Sequence, residues 1–206
     1  MPTLQELDRI AVDVLLGIDH LLQDQNIVKS IIEIYIKFCR GDEARRLDIS
    51  EIPITNETLL RLRFECLCLS IFYASLLSSK YLIEKRWFAK RPDQGLIKLF
   101  DGAIATALIE LCNNTGISKL HEITLVSIDP KPTFGLGDYL DPLNRLEEYR
   151  SAFMKERGSE LERFGKRIGK VLDAPNYPIF EVIGGPFVKP LLQLADYGMA
   201  NALLRE

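Results

Sequence analysis

The most apolar segment of helical length in the sequence is Leu59-Leu60-Arg61-Leu62-Arg63-Phe64-Glu65-Cys66-Leu67-Cys68-Leu69-Ser70-Ile71-Phe72-Tyr73-Ala74-Ser75-Leu76-Leu77. A helix on a protein surface needs one apolar stripe and one polar face. Between Cys66 and Leu77 the segment has almost no polar face. We therefore expect it to be enclosed by other parts of the chain, by a second subunit or by lipid.

The composition is that of an ordinary globular protein. The 206 residues are 47% apolar and 27% charged, and the net charge is -3. A chain of this length suits one domain, and we expect a single helical domain over residues 1–206. No excess of positive charge is available to neutralise a phosphate backbone, which makes a nucleic-acid partner unfavourable.

The sequence also bears on the compartment. The first residues lack the basic and apolar regions of a signal peptide. The best membrane candidate, residues 64–83, contains Glu65 and Lys80 and falls short of the ~20 apolar residues that a span needs. The cysteines lie among apolar neighbours, as small buried side chains do in a reducing environment. We expect a cytoplasmic protein that does not enter a membrane.

Periodic apolar residues predict six helices, over about 4–22, 27–40, 57–88, 94–113, 142–171 and 187–204. Local signals support their first turns: Thr3 and Glu6 match a capping box, and Asp93 and Asp141 are suitable caps. Residues 123–128 and 179–183 have the pattern of short strands that could form a minor two-stranded ribbon. The fold class predicted is an all-α helical bundle around the apolar helix 57–88. A homodimer is expected to complete the core if one chain does not enclose that helix.

Three carboxylates on apolar helical stripes are the candidates for catalysis: Glu65, Asp101 and Asp196. A carboxylate that faces a core is costly unless it is paired or binds a metal ion. If the three meet inside the bundle, they form the site of a metal-dependent hydrolase that uses Mg²⁺ or Mn²⁺. The alternative differs for each residue. Glu65 would pair with Arg61 one turn before it, Asp101 would hydrogen-bond near the start of its helix, and Asp196 would lie at the edge of its stripe.

Histidine gives no support to a metal centre. Carboxylate-bridged di-metal bundles need Glu-x-x-His on two helices, and neither His20 nor His121 is part of that motif. We therefore predict no metal ligands and no cofactor. A nucleophile elbow and a phosphate-binding loop are also missing from the sequence.

Residues 85–91 combine basic and aromatic side chains, Lys85-Arg86-Trp87-Phe88-Ala89-Lys90-Arg91. Such a segment can hold phosphates and stack a base, which defines a second alternative, a nucleic-acid-associated factor. The simpler interpretation is a solvated helix end whose aromatic rings pack inward.

Residues 192–196, Leu-Gln-Leu-Ala-Asp, resemble a short stretch near the end of some RNase H-like nucleases, in which the aspartate helps to bind metal. The likeness covers five residues. The acidic first strand and the five-stranded pattern that such enzymes need are missing from the sequence, so we assign no family on this basis.

The first functional hypothesis is therefore a non-catalytic binding or regulatory protein, which uses a helix surface or an apolar pocket between helices. Its partner would be a small apolar ligand or another protein. The candidate aromatic residues for lining such a pocket are Phe64, Phe72, Tyr73 and Trp87.

Overall fold

The computed structural model describes residues 3–24, 27–39, 55–86, 89–115, 141–172 and 179–204. In these ranges the chain is predominantly helical, as the sequence predicts. The helices are α1 (Leu4–Asp24), α2 (Ile27–Cys39), α3 (Asn56–Tyr81), α4 (Gln94–Asn114), α5 (Pro142–Lys155), α6 (Ser159–Val171) and α7 (Ile179–Leu204). One antiparallel hairpin, β1 (Ile83–Arg86) with β2 (Ala89–Pro92), joins α3 to α4.

The apolar segment forms the middle of α3. The hydroxyl of Thr55 caps this helix by accepting a hydrogen bond from the amide of Thr58 at 3.1 Å. Every residue from Phe64 to Ala74 is buried, and α3 contacts each of the other described helices. One chain therefore shields residues 64–74, whereas Leu59 and Leu76, near the ends of the apolar segment, are each 37% exposed.

The expected end of this helix at residue 88 is wrong. The helix ends at Tyr81, and the amide of Leu82 donates a hydrogen bond to the carbonyl of Ser78 at 2.7 Å. The hairpin then reverses the chain, and the amide of Asp93 returns to the carbonyl of Leu82 at 2.9 Å. Cross-strand pairing satisfies the backbone groups that a longer helix would have used internally. Trp87 lies outside the described residues.

The single helix expected over 142–171 is two helices, α5 and α6, which pack against each other. The helical conformation is interrupted at Gly158, whose φ of 97° lies in the left-handed region. The hydroxyl of Ser159 bonds back to the carbonyl of Ala152 and so fixes the turn. The apolar spacing continues across this break, which explains why the sequence did not reveal it.

The expected strand at 179–183 is also wrong. These residues form the first turns of α7, which continues without interruption to Leu204 and so begins earlier than the expected helix over 187–204. The ribbon that would have paired this strand with residues 123–128 is not seen, and 123–128 lie outside the described residues. A short run rich in β-branched and aromatic residues suits a strand and a buried helix equally well.

We expect Gly158→Ala to lower the free energy of unfolding by about 1–2 kcal/mol, because an alanine side chain is strained at this positive φ. Urea denaturation of the variant measures the change. Gly102→Ala is the control, because Gly102 lies in α4 and a Cβ there meets nothing within 4 Å. The control should be neutral or slightly stabilising. If Gly158→Ala and the parent protein had the same free energy of unfolding, this would contradict the left-handed backbone conformation at Gly158.

Candidate functional site

A groove of about 430 Å³ lies between α3, α4 and α5, within the range of volumes usual for small-molecule sites. Each helix supplies two apolar residues to its walls. These residues are Ile71, Phe72, Ile104, Ala105, Leu143 and Leu146. Phe72 is anchored from behind, because its ring packs against those of Tyr149 and Phe153 at centroid distances of 6.3 and 5.8 Å.

Charged and polar side chains from the same helices complete the groove. The hydroxyl of Ser75 donates a hydrogen bond to Oδ1 of Asp101 at 2.5 Å. Nη2 of Arg150 lies 3.7 Å from Oδ2 of Asp101, and Nη1 lies 3.4 Å from Oε2 of Glu147. One guanidinium thus faces two carboxylates. Asn144 is the remaining polar residue of the described lining.

Burial raises the pKa of Asp101, against the opposing effects of the Ser75 hydrogen bond and of Arg150. Asp196 behaves in the opposite way, because hydrogen bonds from Tyr81 and Lys80 lower its pKa. An NMR titration of the carboxyl carbons should therefore place the midpoint of Asp101 above 3.8 and that of Asp196 below it.

The two shifts have opposite consequences for stability. A folded-state pKa above the unfolded value means that the contribution of Asp101 to stability is greatest at low pH and is lost as the pH rises through that pKa. The contribution of Asp196 is present above its unfolded pKa and is lost as the pH falls. If the midpoint of Asp101 lay below that of Asp196, the described burial of Asp101 would be wrong.

Next to the groove lies a buried ionic cluster, formed by Glu65, Arg145 and Tyr149. Nε of Arg145 is 3.1 Å from Oε2 of Glu65, and the hydroxyl of Tyr149 donates to the same oxygen at 2.9 Å. All three side chains are almost inaccessible to solvent. Burial raises the pKa of Glu65, and Arg145 opposes that effect.

Glu148 extends this cluster to a third helix. Its Oε2 lies 2.5 Å from Nη1 of Arg145 and accepts a hydrogen bond from Arg167 at 2.7 Å. The ion pairs therefore connect α3 to α5 and α5 to α6. Glu65 therefore faces the core because its carboxylate belongs to this buried cluster, which explains its position on an apolar stripe.

The three candidate catalytic carboxylates have different partners. Glu65 pairs with Arg145, while Arg61 pairs with Glu57. Asp101 lies in the groove, and Asp196 binds Lys80 at 2.9 Å and the hydroxyl of Tyr81 at 2.6 Å. Within the described ranges, no group of three or more histidine, cysteine, aspartate or glutamate residues could hold a metal ion.

The candidate aromatic residues divide in a similar way. Phe72 lines the groove. Phe64 is fully buried in the core, and Tyr73 is buried and donates a hydrogen bond to Glu160 at 3.3 Å. The side chains of residues 83–91, which include the whole basic-aromatic segment 85–91 and with it Trp87, lie outside the described part of the chain. Three residues of the groove were not predicted from the sequence: Ser75, Glu147 and Arg150. Ser75 lies in an apolar run, and the other two lie on a polar helix face, so no pattern marked them as functional residues.

The thiols of Cys66, Cys68 and Cys112 are buried. Burial raises the pKa of Cys66 and Cys68 well above the ordinary value, and raises that of Cys112 to about 12. A thiol must be deprotonated to act as a nucleophile or a metal ligand, so burial disfavours both roles at these three positions.

A second cavity of about 320 Å³ lies between α1 and α7. Its lining is more polar and comprises Asp13, Gly17, His20, Leu21, Tyr197, Gly198, Asn201 and Ala202. Gly17 in this cavity and Gly102 in the groove are both helical glycines at which an added Cβ meets nothing within 4 Å. The same substitution at the two positions therefore allows the two cavities to be compared.

Comparisons with known proteins give no family or functional assignment. No protein-family model matches the chain, and no curated protein or solved structure shows significant similarity to it. Of the helices in the described ranges, none combines the length and the apolar character required to cross a membrane.

Proposed function

We propose that this chain is a non-catalytic binding protein that holds a small, largely apolar ligand in the groove between α3, α4 and α5. The observation that carries the proposal is the composition of the groove, in which six apolar residues surround the Ser75–Asp101–Arg150 group. Small-molecule sites have this character, with apolar walls that provide affinity and a few polar groups that fix orientation.

The polar groups favour binding over catalysis. Ser75 donates its hydrogen bond to Asp101, and the described lining of the groove contains no histidine that could activate this hydroxyl. Arg150 is placed between two carboxylates, where it neutralises part of their charge. Such an arrangement can orient a ligand without making or breaking a bond.

In this proposal the chain acts as one helical bundle around α3. The described lining of the groove comes from three helices of a single chain, so a ligand can contact all of it without a second subunit. The buried ionic cluster supports the same arrangement, because it ties α5, which carries Arg150, to α3, which carries Ser75.

Binding can be tested with N-phenyl-1-naphthylamine, a neutral apolar probe whose fluorescence rises in apolar surroundings. The parent protein should bind it saturably. Gly102→Phe should weaken binding by about tenfold or more, a loss of roughly 1.4 kcal/mol, because the ring occupies the groove. The substitution should not impair folding, since Gly102 is exposed and a Cβ there meets nothing within 4 Å.

Gly17→Phe is the matched control. It places the same side chain at an equally open helical glycine, but in the second cavity. Binding by this variant should equal that of the parent protein. Loss of binding in Gly17→Phe but not in Gly102→Phe would transfer the site to the second cavity, and no saturable binding by the parent protein would overturn the proposal.

A further inference from the structure

We infer that the groove binds aliphatic primary amines, with the hydrocarbon chain against its apolar walls and the ammonium group at Asp101. This inference rests on the proposed function and names the chemical class of its ligand. It follows from the balance of charges in the groove, from the depth of Asp101 and from the place that Arg150 already occupies.

The described lining of the groove carries an excess of negative charge. Its ionisable side chains are Asp101, Glu147 and Arg150, two carboxylates against one guanidinium. The distances of Arg150 to both carboxylates, 3.7 and 3.4 Å, are longer than those of a strong charge-assisted hydrogen bond. A ligand with one positive charge would balance the groove.

Asp101 is the best placed of these groups to receive that charge. Its side chain is 27% exposed, compared with 63% for Glu147 and 48% for Arg150. Water screens its charge less than it screens the other two, so an ion pair at Asp101 is stronger than one at the rim. Ser75 holds the carboxylate in place through Oδ1.

An ammonium group also matches the available hydrogen-bond acceptors. It carries three donors and no acceptor, and Asp101 and Glu147 offer carboxylate oxygens. A ligand carboxylate would have to compete with these two residues for Arg150, while facing their negative charge. A neutral hydroxyl could use the acceptors but would leave the excess charge unbalanced.

Three ligands of equal chain length separate these cases: octylamine, octanol and octanoate. Isothermal titration calorimetry on the full chain at neutral pH, where the amine is protonated, measures their dissociation constants. We expect octylamine to bind about tenfold more tightly than octanol, since a hydrogen bond to a charged group is worth about 1.5–3 kcal/mol. Octanoate should bind most weakly.

Two variants test whether Asp101 causes the tighter binding of octylamine than of octanol. In Asp101→Asn the side chain keeps its shape but loses its charge, so octylamine should bind no more tightly than octanol. Glu110→Gln is the matched control, because it removes one carboxylate from an exposed position of the same helix outside the described lining. This control should retain the tenfold preference. If Asp101→Asn does not fold, Glu147→Gln should still reduce the preference.

The outcomes distinguish the inference from the function on which it rests. Binding of octanol with no tighter binding of octylamine would overturn the amine specificity and leave a neutral apolar site. Tightest binding of octanoate would assign the polar contact to Arg150 instead. Failure of all three ligands to bind would overturn the proposed function itself.

Discussion

Replacing Arg145 with methionine is expected to lower the free energy of unfolding by about 3–5 kcal/mol, the usual effect of removing one partner from a buried ion pair. The guanidinium lies against Glu65, and both side chains are almost fully buried. Without Arg145, the carboxylate would stay uncompensated in the core or take up a proton. Chemical denaturation of the folded protein at neutral pH measures the loss.

The double variant Glu65→Leu/Arg145→Met tests the reason for this loss. It removes both charges and fills the space with apolar atoms, so most of the lost stability should return. Lys80→Met is the control, because Lys80 pairs with Asp196 at 2.9 Å and both side chains are well exposed, by 60% and 45%. Its effect should stay below about 1 kcal/mol. If Arg145→Met also lowered the free energy of unfolding by less than about 1 kcal/mol, this would contradict the burial of its ion pair with Glu65.

Replacing Phe64 with alanine should also be severe, with a loss of about 3–5 kcal/mol, because the ring is fully buried and its removal leaves a cavity. The folded fraction of this variant should nevertheless bind the fluorescent probe as the parent protein does. Phe64 belongs to the core and is not part of the described lining of the groove.

Met154→Ala is the comparison for this substitution. Met154 is 78% exposed, and its truncation should change the free energy of unfolding by no more than about 0.5 kcal/mol. If Phe64→Ala weakened probe binding and left stability unchanged, Phe64 would be a ligand contact, as the sequence hypothesis allowed.

The features predicted correctly from the sequence are those that neighbouring residues determine. Thr3 and Glu6 form the expected capping box, and the carboxylates of Asp93 and Asp141 accept hydrogen bonds from the amides of the helices that follow. The enclosure expected between Cys66 and Leu77 followed from the lack of a polar face. It is confirmed for residues 66–74, whereas Leu76 is 37% exposed.

Boundaries within continuous patterns could not be predicted in this way. The break at Gly158 lies between two helices whose apolar residues follow one spacing, and only its φ of 97° reveals it. The hairpin after Tyr81 depends on pairing between strands that also had a plausible helical pattern. Such alternatives are separated by tertiary contacts, which local propensity does not contain.

The partners of the candidate carboxylates were hidden for a related reason. The local alternative for Glu65 was an ion pair with Arg61, but Glu65 pairs with Arg145 from a distant part of the chain. The pairing depends on how α5 packs against α3, and helical spacing determines only which face a residue occupies. Of the three carboxylates, Asp101 alone is part of the groove.

The most direct test of the binding proposal is a methyl NMR spectrum of the full chain, recorded during a titration with octanol. We expect saturable shifts of the methyl signals of four residues that line the groove: Ile71, Ile104, Leu143 and Leu146. The signals of Leu21, in the second cavity, should stay in place. Shifts centred on Leu21, or no saturable shift at the groove, would contradict ligand binding in the groove between α3, α4 and α5.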